Sequence, residues 1–501
     1  MISDLLNAGS ADAPALSAPG GSPPLTYRAL RKHVADITSW LASRGIGPGD
    51  RVGIVLDNGP EMAAAFLSIG SAPTAAPLNP SYRAEEFEFY LTDLRAKLLV
   101  VAEGKDTPSL GVAEKLGIPV AWLTPHPDRG AGSFSLRGES GATPKSVRAA
   151  TADDIALVLH TSGTTSRPKI VPLAHKNIAA SAANIRRTLA LTAQDRGLVI
   201  MPLFHIHGLI AALSAPISAG AEVCCTPGFN ALKFFGWMDE MKPTFYTGVP
   251  TMHQAILLRA PGNAEVLKNH RLRFIRSSSS ALPPTVIAEL ERVFRVPVVE
   301  AYGMTEATHQ MASNPLGGPR KPGTVGPSGG PEIRIVNERG ETVPTGQTGE
   351  IVIRGPNVMT AYENNPKANA DAFYGDWFRT GDQGVMDSDG YVSITGRLKE
   401  IINRGGEKIS PREVDEIIME HPAVHQCVTF AMPHDMLGED VAAAIVLRQG
   451  SAATDRELRE FASARLAPYK VPRKILILTE IPVGATGKLQ RIGLAQKLGL
   501  A

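Results

Sequence analysis

The stretch His160-Thr161-Ser162-Gly163-Thr164-Thr165-Ser166-Arg167-Pro168-Lys169 decides how this chain is interpreted. The apolar residues 155–159 directly before it predict a buried strand, so the stretch is a loop that leaves the end of a strand. Backbone N–H groups at such an end can face an anion, the hydroxyls add donors, and the lysine adds charge. The sequence therefore predicts a phosphate-binding loop made by the following residues: Thr161, Ser162, Gly163, Thr164, Thr165 and Lys169.

The spacing of this loop distinguishes between classes of phosphate site. The P-loop of nucleotide hydrolases follows the pattern G-x-x-x-x-G-K-[ST], which is absent here, so that class is disfavoured. A Ser/Thr-rich surface turn without a ligand is the other alternative. The unbroken run of small and hydroxyl-bearing residues over 161–166 argues against it.

The composition is that of a large globular enzyme rather than a disordered or fibrous chain. With 501 residues, 43% of them hydrophobic and 20% charged, the chain can bury more than one core. The formal net charge of +2 comes from nearly balanced acids and bases, without a long basic run. Nucleic acid is therefore not an expected partner.

Cysteine usage and hydropathy predict the compartment. Cys224, Cys225 and Cys427 form neither a disulfide framework nor a zinc-site spacing, which favours the reducing cytoplasm. No apolar run reaches the roughly 18 residues that span a bilayer, and we expect no secretory leader and no membrane span. The sequence does not predict the oligomeric state.

The order of helical and strand patterns predicts an α/β fold. Leu30, Val34, Ile37 and Leu41 recur at helical spacing, and residues 51–56 then form a strand pattern. Such alternation is typical of a parallel sheet covered by helices. Short strand patterns separated by Gly and Asn turns follow residue 331 and predict a small antiparallel β unit, and the last 100 residues predict a compact α+β unit.

Four further segments are similar to signatures of one enzyme superfamily and stand in the same order. They are Ala301-Tyr302-Gly303-Met304-Thr305-Glu306, Trp377-Phe378-Arg379-Thr380-Gly381-Asp382, Gly396-Arg397-Leu398-Lys399-Glu400 and Thr486-Gly487-Lys488. With the phosphate loop, they resemble the adenylate-forming superfamily, which includes acyl-CoA synthetases, luciferases and peptide-synthetase adenylation domains. Ser166 and Ile170 depart from it, because many relatives have glycine there.

The resemblance implies a two-domain architecture. It places an AMP-binding adenylation domain, built from layered α/β subdomains plus the small β unit, over residues 1–395. It places a hinge over 396–399, at Lys399, and a small mobile α+β domain over 400–501. The C-terminal domain would rotate about the hinge between two half-reactions.

The resemblance also implies the chemistry and its catalytic residues. A carboxylate would attack the α-phosphate of ATP to give an acyl-adenylate, which coenzyme A would then cleave to a thioester. The loop would hold the β and γ phosphates, and Thr305 would donate to the α-phosphate. Glu306 would bind Mg²⁺, since magnesium prefers oxygen ligands. Lys488 would neutralise the substrate carboxylate and the α-phosphate during adenylation.

The resemblance assigns two further groups of binding residues. The residues for the adenosine part of ATP would be Ala301, Tyr302, Gly303, Met304, Asp382 and Arg397. Within that group, Tyr302 offers a face for adenine stacking and Asp382 accepts from the ribose hydroxyls. The residues for coenzyme A would be Arg404, Gly405, Gly406 and Lys408, where the glycines permit close backbone approach.

The acid substrate is predicted from the polar residues of the acyl pocket. Ser279 within a run of four serines, together with His205, Arg276 and His309, could bind a second carboxylate. These residues favour a small dicarboxylate over a bulky apolar acid. The segments 160–169, 273–277, 306–309 and 403–408 look like those of the oxalate–CoA ligases of plants and fungi, so oxalate is the first choice.

Other functions stay open at this point. Serines that only satisfy a strand end, with His309 capping a helix, would leave a short- or medium-chain acyl-CoA ligase or a 4-coumarate-like aryl ligase. An amino-acid-activating domain would normally have aspartate at His205, and a luciferase-like enzyme would need a large aromatic pocket. A module that binds ATP without turnover is the non-enzyme alternative, and the presence of Thr305 and Lys488 argues against it.

Overall fold

A computed structural model describes residues 1–138, 147–161, 168–482 and 490–500. Within them the chain packs as two compact units. The first unit comprises the described residues up to 161, then 170–332 and 354–370. The second comprises 168–169, 333–353 and the described residues from 371 to 500. The predicted domain boundary at 396–399 stays a prediction.

The first 331 residues contain alternating strands and helices. The strands are β1 Pro14–Ser17, β2 Leu25–Thr26, β3 Arg51–Val55, β4 Thr74–Pro77, β5 Leu98–Ala102, β6 Val120–Pro125, β7 Phe134–Arg137, β8 Ile155–Thr161, β9 Lys169–Ala174, β10 Arg196–Val199, β11 Glu222–Cys225, β12 Phe245–Gly248, β13 Phe274–Ser277, β14 Val298–Met304 and β15 His309–Ser313.

Helices connect these strands. The α-helices are α1 Ile2–Leu5, α2 Tyr27–Ala42, α3 Pro60–Ile69, α4 Ala84–Leu94, α5 Pro108–Leu116, α6 His175–Thr188, α7 Ala215–Ile217, α8 Phe234–Met241, α9 Pro250–Leu257, α10 Ala264–Asn269 and α11 Pro284–Phe294. Short 3₁₀ turns lie at Leu6–Ala8, Pro127–Arg129, Ala260–Asn263 and Thr305–Ala307, and a π-helical segment lies at His207–Ser214.

Two sheets organise the first unit. A seven-stranded sheet has the order β7-β6-β5-β3-β4-β8-β9, and an eight-stranded sheet has the order β15-β14-β13-β12-β10-β11-β1-β2. The central strands of both sheets run parallel, while β2, β7 and β15 pair antiparallel at or near the sheet edges. The predicted parallel, helix-covered α/β architecture is confirmed.

Helix α2 shows how the sequence pattern produces this packing. Its predicted stripe Leu30, Val34, Ile37 and Leu41 is buried. Thr26 caps the helix by accepting a hydrogen bond from the Ala29 N–H at 3.2 Å. A buried side chain of this kind stabilises the fold by roughly 1.5–3 kcal/mol, so the stripe fixes the helix against its sheet.

The carboxyl end of the eight-stranded sheet positions the candidate site. Strands β12, β13 and β14 are parallel neighbours, and their register aligns Thr247 with Arg276 and Gly248 with Ser277 and Glu300. Because parallel strands end at one edge, the segments that follow them meet there. The serine run and the turn containing Glu306 are two of these segments.

Asp195, which directly precedes β10, is a polar anchor of this sheet. Its carboxylate is 3% exposed and accepts hydrogen bonds from Arg273 at 2.8 and 2.9 Å and from the Thr244 hydroxyl at 2.8 Å. It also accepts from the Thr192 N–H at 2.8 Å. One buried carboxylate thus joins the starts of β10, β12 and β13.

The second unit contains the small β unit and the C-terminal segment. Its strands are β16 Glu332–Val336, β17 Gly349–Arg354, β18 Phe373–Tyr374, β19 Trp377–Met386, β20 Val392–Arg397, β21 Ile402–Arg404, β22 Glu407–Ile409, β23 Val424–His434, β24 Gly438–Leu447 and β25 Lys474–Leu478. The remaining helices of the chain are α12 Pro366–Asp371, α13 Pro411–Met419, α14 Asp455–Ser463 and α15 Leu494–Lys497, with 3₁₀ turns at Leu398–Glu400 and Pro468–Lys470.

Each half of this unit has its own sheet. One has the order β16-β17-β19-β18 with β20 beside β19, and the other has the order β22-β21-β24-β23 with β25 beside β24. In the first of these sheets, the strand pairs whose register is defined are antiparallel. In the second sheet, β24 and β25 are parallel, and the other pairs are antiparallel. The predicted antiparallel β unit and α+β C-terminal unit are confirmed. No helix in the described part of the chain has the length and apolarity to cross a membrane.

We expect Asp195→Ala to destabilise the first unit by roughly 1–3 kcal/mol, because it removes the buried acceptor that Thr244 and Arg273 share directly before β12 and β13. The thermal unfolding midpoint of the purified protein checks this. Asp12→Ala is the matched control, because Asp12 pairs with Arg28 at the surface, where its side chain is 83% exposed. Equal shifts in the two variants would contradict the anchoring role.

Candidate active site

The turn between β14 and β15 is built on a close approach of two backbones. The pairing register of β14 with β15 shifts between Tyr302 and Gly303. A Cβ added to Gly303 would lie 2.0 Å from the carbonyl oxygen of His309. Only glycine fits there. This close approach explains why the predicted Ala301–Glu306 signature has glycine at position 303.

Two residues after this turn have left-handed backbone conformations. Thr308 has φ of 49° and His309 has φ of 89°. Such conformations cost on the order of 1–3 kcal/mol and persist only where surrounding contacts hold them. Buried Asn357 supplies those contacts, since its side-chain amide nitrogen donates to the Ala307 and Gln310 carbonyls at 2.8 and 3.1 Å, and its backbone carbonyl accepts from the Thr308 hydroxyl at 2.7 Å.

Glu306 lies within the 3₁₀ turn Thr305–Ala307 and is 7% exposed. The Tyr362 hydroxyl donates to its Oε1 at 2.8 Å. Burial, followed by the charge of Glu306, raises the pKa of Tyr362 well above its ordinary value. The tyrosine therefore remains a neutral donor that holds the carboxylate in one orientation.

The residues around Glu306 fit a magnesium ion that is held mainly by phosphate. Among the described residues, no group of three or more His, Cys, Asp or Glu side chains is arranged to bind a metal. Magnesium keeps several waters and needs only one or two carboxylates plus substrate phosphates. A single oriented carboxylate is consistent with that kind of site.

Arg276 on β13 is the largest fully buried side chain of the described residues, at 0% exposure. One terminal nitrogen lies 3.3 Å from Nε2 of His207, 3.1 Å from Nε2 of His309 and 3.4 Å from the Thr247 hydroxyl. The other terminal nitrogen donates to Oε1 of Gln310 at 3.2 Å. We call these five residues the Arg276 cluster.

The Arg276 cluster contains a cation without an anion. No Asp or Glu of the described residues forms an ion pair with Arg276, and its Nε has no hydrogen-bond partner among them. Burial lowers the pKa of the guanidinium to about 9, which still leaves it charged at neutral pH. A buried charge without a counter-ion is unfavourable, so this site favours binding of an anion.

Arg276 also limits the hydrogen bonds of its histidine neighbours, because a guanidinium only donates. Nε2 of His309 lies 3.1 Å from a terminal nitrogen of Arg276 and accepts from it. Nε2 of His207 lies nearer to the Thr247 hydroxyl, at 2.6 Å, than to Arg276, and Nδ1 of His207 lies 3.0 Å from the Ser279 hydroxyl. The tautomer of His207 sets the donor in each of these two contacts. Ser279 itself is exposed with φ of 72°.

The structure brings three of the four predicted acid-binding residues into one network. Arg276 contacts His309 directly, and Ser279 joins through His207. The rings of His207 and His309 stack with centroids 4.7 Å apart. His205 is outside the hydrogen bonds of Arg276; it is half-buried and its ring packs against Phe204.

Sequence reasoning missed several members of this site: His207, Thr247, Gln310, Asn357 and Tyr362. His207 is two residues from the histidine that was chosen, and only the π-helical segment starting at His207 shows which of the two is buried. Thr247 belongs to β12, whose register with β13 a single sequence does not reveal. Asn357 and Tyr362 lie about 50 residues from the turn they hold.

Two predicted nucleotide residues are neighbours in the second unit. Asp382 on β19 pairs in register with Arg397 on β20 and accepts a hydrogen bond from its Nε at 3.0 Å. Asp382 is 6% exposed, while the Arg397 side chain is 50% exposed. The arginine orients the carboxylate, which is consistent with the predicted ribose contact.

The predicted coenzyme A residues lie at the β21–β22 turn. Gly405 and Gly406 have φ of 60° and 99°, conformations that glycine adopts without steric cost. Arg404 donates to buried Asp440 at 2.6 Å, and Lys408 lies 3.5 Å from Glu338. The guanidinium of Arg404 is thus engaged within its own unit, and its contact with coenzyme A phosphate stays a prediction.

Part of the predicted site lies outside the described residues. This holds for Ser162, Gly163, Thr164, Thr165 and the catalytic candidate Lys488. Thr161 ends β8 and Lys169 begins β9, so the phosphate loop leaves a strand end as expected.

Comparisons with known proteins agree on one family. The model of the AMP-binding enzyme matches residues 6–363, and that of the AMP-binding enzyme C-terminal domain matches 413–488. An oxalate–CoA ligase of Arabidopsis thaliana is 44% identical, over 94% of this chain and 93% of its own. An oxalate–CoA ligase of Saccharomyces cerevisiae is 41% identical, over 89% and 86%. The crystal structure of ATP-bound MatB from Rhodopseudomonas palustris superposes with a TM-score of 0.88, at 29% identity, over 99% and 98%.

We expect Gly303→Ala to abolish most activity, because the new methyl group would displace the His309 backbone and with it the histidine side chain. The kcat/KM for the best acid substrate checks this. Gly317→Ala is the control, since a Cβ at Gly317 meets nothing within 4 Å. An active Gly303→Ala enzyme would show that the close approach is dispensable.

Proposed function

The chain belongs to the AMP-binding enzyme family, and from this premise we propose that it joins oxalate to coenzyme A. The reaction consumes ATP and releases AMP and pyrophosphate through an oxalyl-adenylate. The buried, uncompensated charge of Arg276 is the observation that carries the choice of acid. The similarity to two oxalate–CoA ligases supports the same choice.

A dicarboxylate meets the requirement that the Arg276 cluster creates. One carboxylate of oxalate reacts, and the other stays an anion through both half-reactions and needs a permanent partner. A guanidinium matches a carboxylate in shape and charge. An apolar acyl chain would leave Arg276 without an anion and would lie against histidine and hydroxyl groups, which is unfavourable.

The other members of the cluster shape the acid site. Nε2 of His309 accepts from Arg276, and His207 links the cluster to the exposed Ser279 hydroxyl at 3.0 Å. One buried cation is thus available to one carboxylate of the acid, and the Ser279 hydroxyl adds a polar contact. This arrangement favours an acid that carries a second carboxylate.

In the first half-reaction, a carboxylate oxygen of the acid attacks the α-phosphorus, and pyrophosphate leaves. Phosphoryl and nucleotidyl transfers need charge neutralisation above all, and bound magnesium would supply part of it at Glu306. The Tyr362 hydroxyl holds that carboxylate. Thr305 donates to the α-phosphate, and Lys488 bridges it to the attacking carboxylate.

In the second half-reaction, the thiol sulfur of coenzyme A attacks the acyl carbon and AMP leaves. The proton of the thiol passes to solvent or to the AMP phosphate. The Gly405–Gly406 turn is suited to close contact with the pantetheine chain because it lacks side chains. Arg404 and Lys408 supply positive charge near the coenzyme A phosphates.

The nucleotide and the compartment complete the proposal. Asp382 accepts from the ribose hydroxyls with Arg397 beside it, and the segment Ala301, Tyr302, Gly303 and Met304 lines the adenine.

We place the protein in the cytoplasm, since its three cysteines are buried and unpaired.

The proposal is tested by kcat/KM for pyrophosphate release with coenzyme A and magnesium-ATP. The acids are oxalate, malonate, sulfoacetate, acetate, hexanoate, benzoate and 4-coumarate. We expect a strong preference for oxalate. Preference for hexanoate or an aryl acid would instead identify a medium-chain or aryl ligase, and no turnover with any acid would favour the ATP-binding module.

We expect Arg276→Gln to lower kcat/KM for oxalate by roughly 10- to 150-fold and for acetate by much less, because acetate has no second carboxylate. The estimate follows from roughly 1.5–3 kcal/mol for a hydrogen bond to a charged group. Arg271→Gln is the control, since it removes the same charge from an exposed position five residues earlier. Equal losses for both acids would indicate structural damage instead.

We expect Lys488→Ala to slow adenylation by two or more orders of magnitude, because a charge at the α-phosphate is lost. Thioester formation from preformed oxalyl-adenylate should change little. Pyrophosphate exchange into ATP measures the first step, and rapid mixing of the adenylate with coenzyme A measures the second. Exchange at the parental rate would reject the assigned role.

A further inference from the structure

Gln310 on β15 is the member of the Arg276 cluster that faces the second terminal nitrogen of the arginine. The residue is fully buried, and its Oε1 accepts a hydrogen bond from Arg276 at 3.2 Å. Its Nε2 donates to the Gly329 carbonyl at 2.9 Å and to the Thr188 hydroxyl at 3.1 Å. Both polar atoms of the side-chain amide therefore have partners.

These contacts determine the orientation of the amide. A carbonyl oxygen only accepts, so the amide atom that faces Gly329 is the nitrogen, and the one that faces Arg276 is the oxygen. The Thr188 hydroxyl donates to the Ile185 carbonyl at 3.1 Å, which leaves its oxygen to accept from Nε2. A Cβ added to Gly329 would lie 2.9 Å from that nitrogen, so the surroundings are closely packed. Gln310 thus presents an acceptor to Arg276 in one orientation.

An amide holds a guanidinium without neutralising it. A glutamate side chain has nearly the same shape as glutamine, and at this distance its carboxylate would form a buried ion pair with Arg276. The other three side chains within hydrogen-bond distance of the arginine, which carry no negative charge, are His207, Thr247 and His309. The acceptor at position 310 therefore decides whether the charge of the arginine is compensated.

Burial makes the charge of Arg276 effective beyond its direct contacts. The residue is 0% exposed, and charges interact more strongly in a protein interior than in water. A second carboxylate of the acid is attracted by this charge, whereas an acid with a neutral group in the same place gains nothing from it. Selection of an anionic acid thus requires that the charge stays uncompensated until the acid binds.

We propose that Gln310 is a positioning residue that makes the acid site selective for a second anionic group, because its amide holds Arg276 in place and leaves the charge uncompensated. Discrimination between acids then depends on a residue that acts through the arginine and need not touch the acid. The inference rests on the proposed function for the identity of the acid.

Gln310→Glu tests this role, since it supplies a counter-ion to Arg276 at nearly unchanged shape. We expect the ratio of kcat/KM for oxalate to kcat/KM for acetate to fall about tenfold or more, the scale of one hydrogen bond to a charged group. The introduced carboxylate takes the place of the second carboxylate of oxalate, which acetate does not have. Pyrophosphate release with coenzyme A and magnesium-ATP measures both values.

Gln310→Met is the matched structural control. Methionine is similar in length, and it loses the same hydrogen bonds to Gly329 and Thr188 without adding charge. It should lower kcat/KM for both acids to a similar extent and leave their ratio close to that of the parent. Gln194→Glu is the charge control, because it adds the same charge at an exposed position and should leave both values unchanged.

Thermal unfolding of the substrate-free protein gives a test that does not depend on turnover. Gln310→Glu and Gln310→Met lose the same amide donors, and only the first completes a buried ion pair with Arg276. We expect Gln310→Glu to unfold at the higher temperature of the two, since a buried charge without a partner is destabilising.

Three results would overturn the inference. Two are kinetic: an unchanged ratio in Gln310→Glu, or an equal fall of the ratio in Gln310→Met. The third is an unfolding midpoint of Gln310→Glu at or below that of Gln310→Met, because the introduced carboxylate would then not pair with Arg276. A parent that turns over no acid would reject the proposed function alone, and the two midpoints would still decide whether position 310 controls the charge.

Discussion

Arg276 carries a positive charge that is fully buried and has no acidic partner among the described residues. The site around it depends on that charge. Its terminal nitrogens contact His207, Thr247, His309 and Gln310, and His207 extends the network to Ser279. In the function that we propose, a substrate anion would complete an ion pair that the folded chain leaves half made, so recognition of the acid and relief of a buried charge would be one event.

Sequence patterns predicted the architecture well, because hydrophobic periodicity reports burial directly. The α2 stripe and the alternation of strands and helices are confirmed. Local motifs also indicated Arg276, Ser279 and His309, which the structure joins. They did not indicate Thr247, Asn357 or Tyr362, because those contacts depend on strand register and on chain segments far apart in sequence. They also did not indicate His207, because its burial depends on the π-helical segment, and the role of His205 stays a prediction.

Polar contacts of different strength hold the two units of this chain. At the Arg276 cluster, hydrogen bonds hold a charge in place inside a sheet of parallel strands, where little can shift. In the second unit, Arg491 joins buried Asp415 to the partly exposed Glu400. A partly exposed ion pair of that kind is weaker and is sensitive to its surroundings. In the function that we propose, the rigid Arg276 cluster would select the acid.

The left-handed backbone at Ser279 and His309 limits how the acid site can evolve. Asn, Asp and Gly adopt such conformations most readily, whereas Val and Ile, which a lineage would need in an apolar pocket, are genuine outliers there. A single substitution toward an apolar acid would therefore add strain while it leaves Arg276 buried and unpaired. One substitution is enough to lose acid binding at the proposed site. A change from one acid to another needs several substitutions, which must also rebuild the turn.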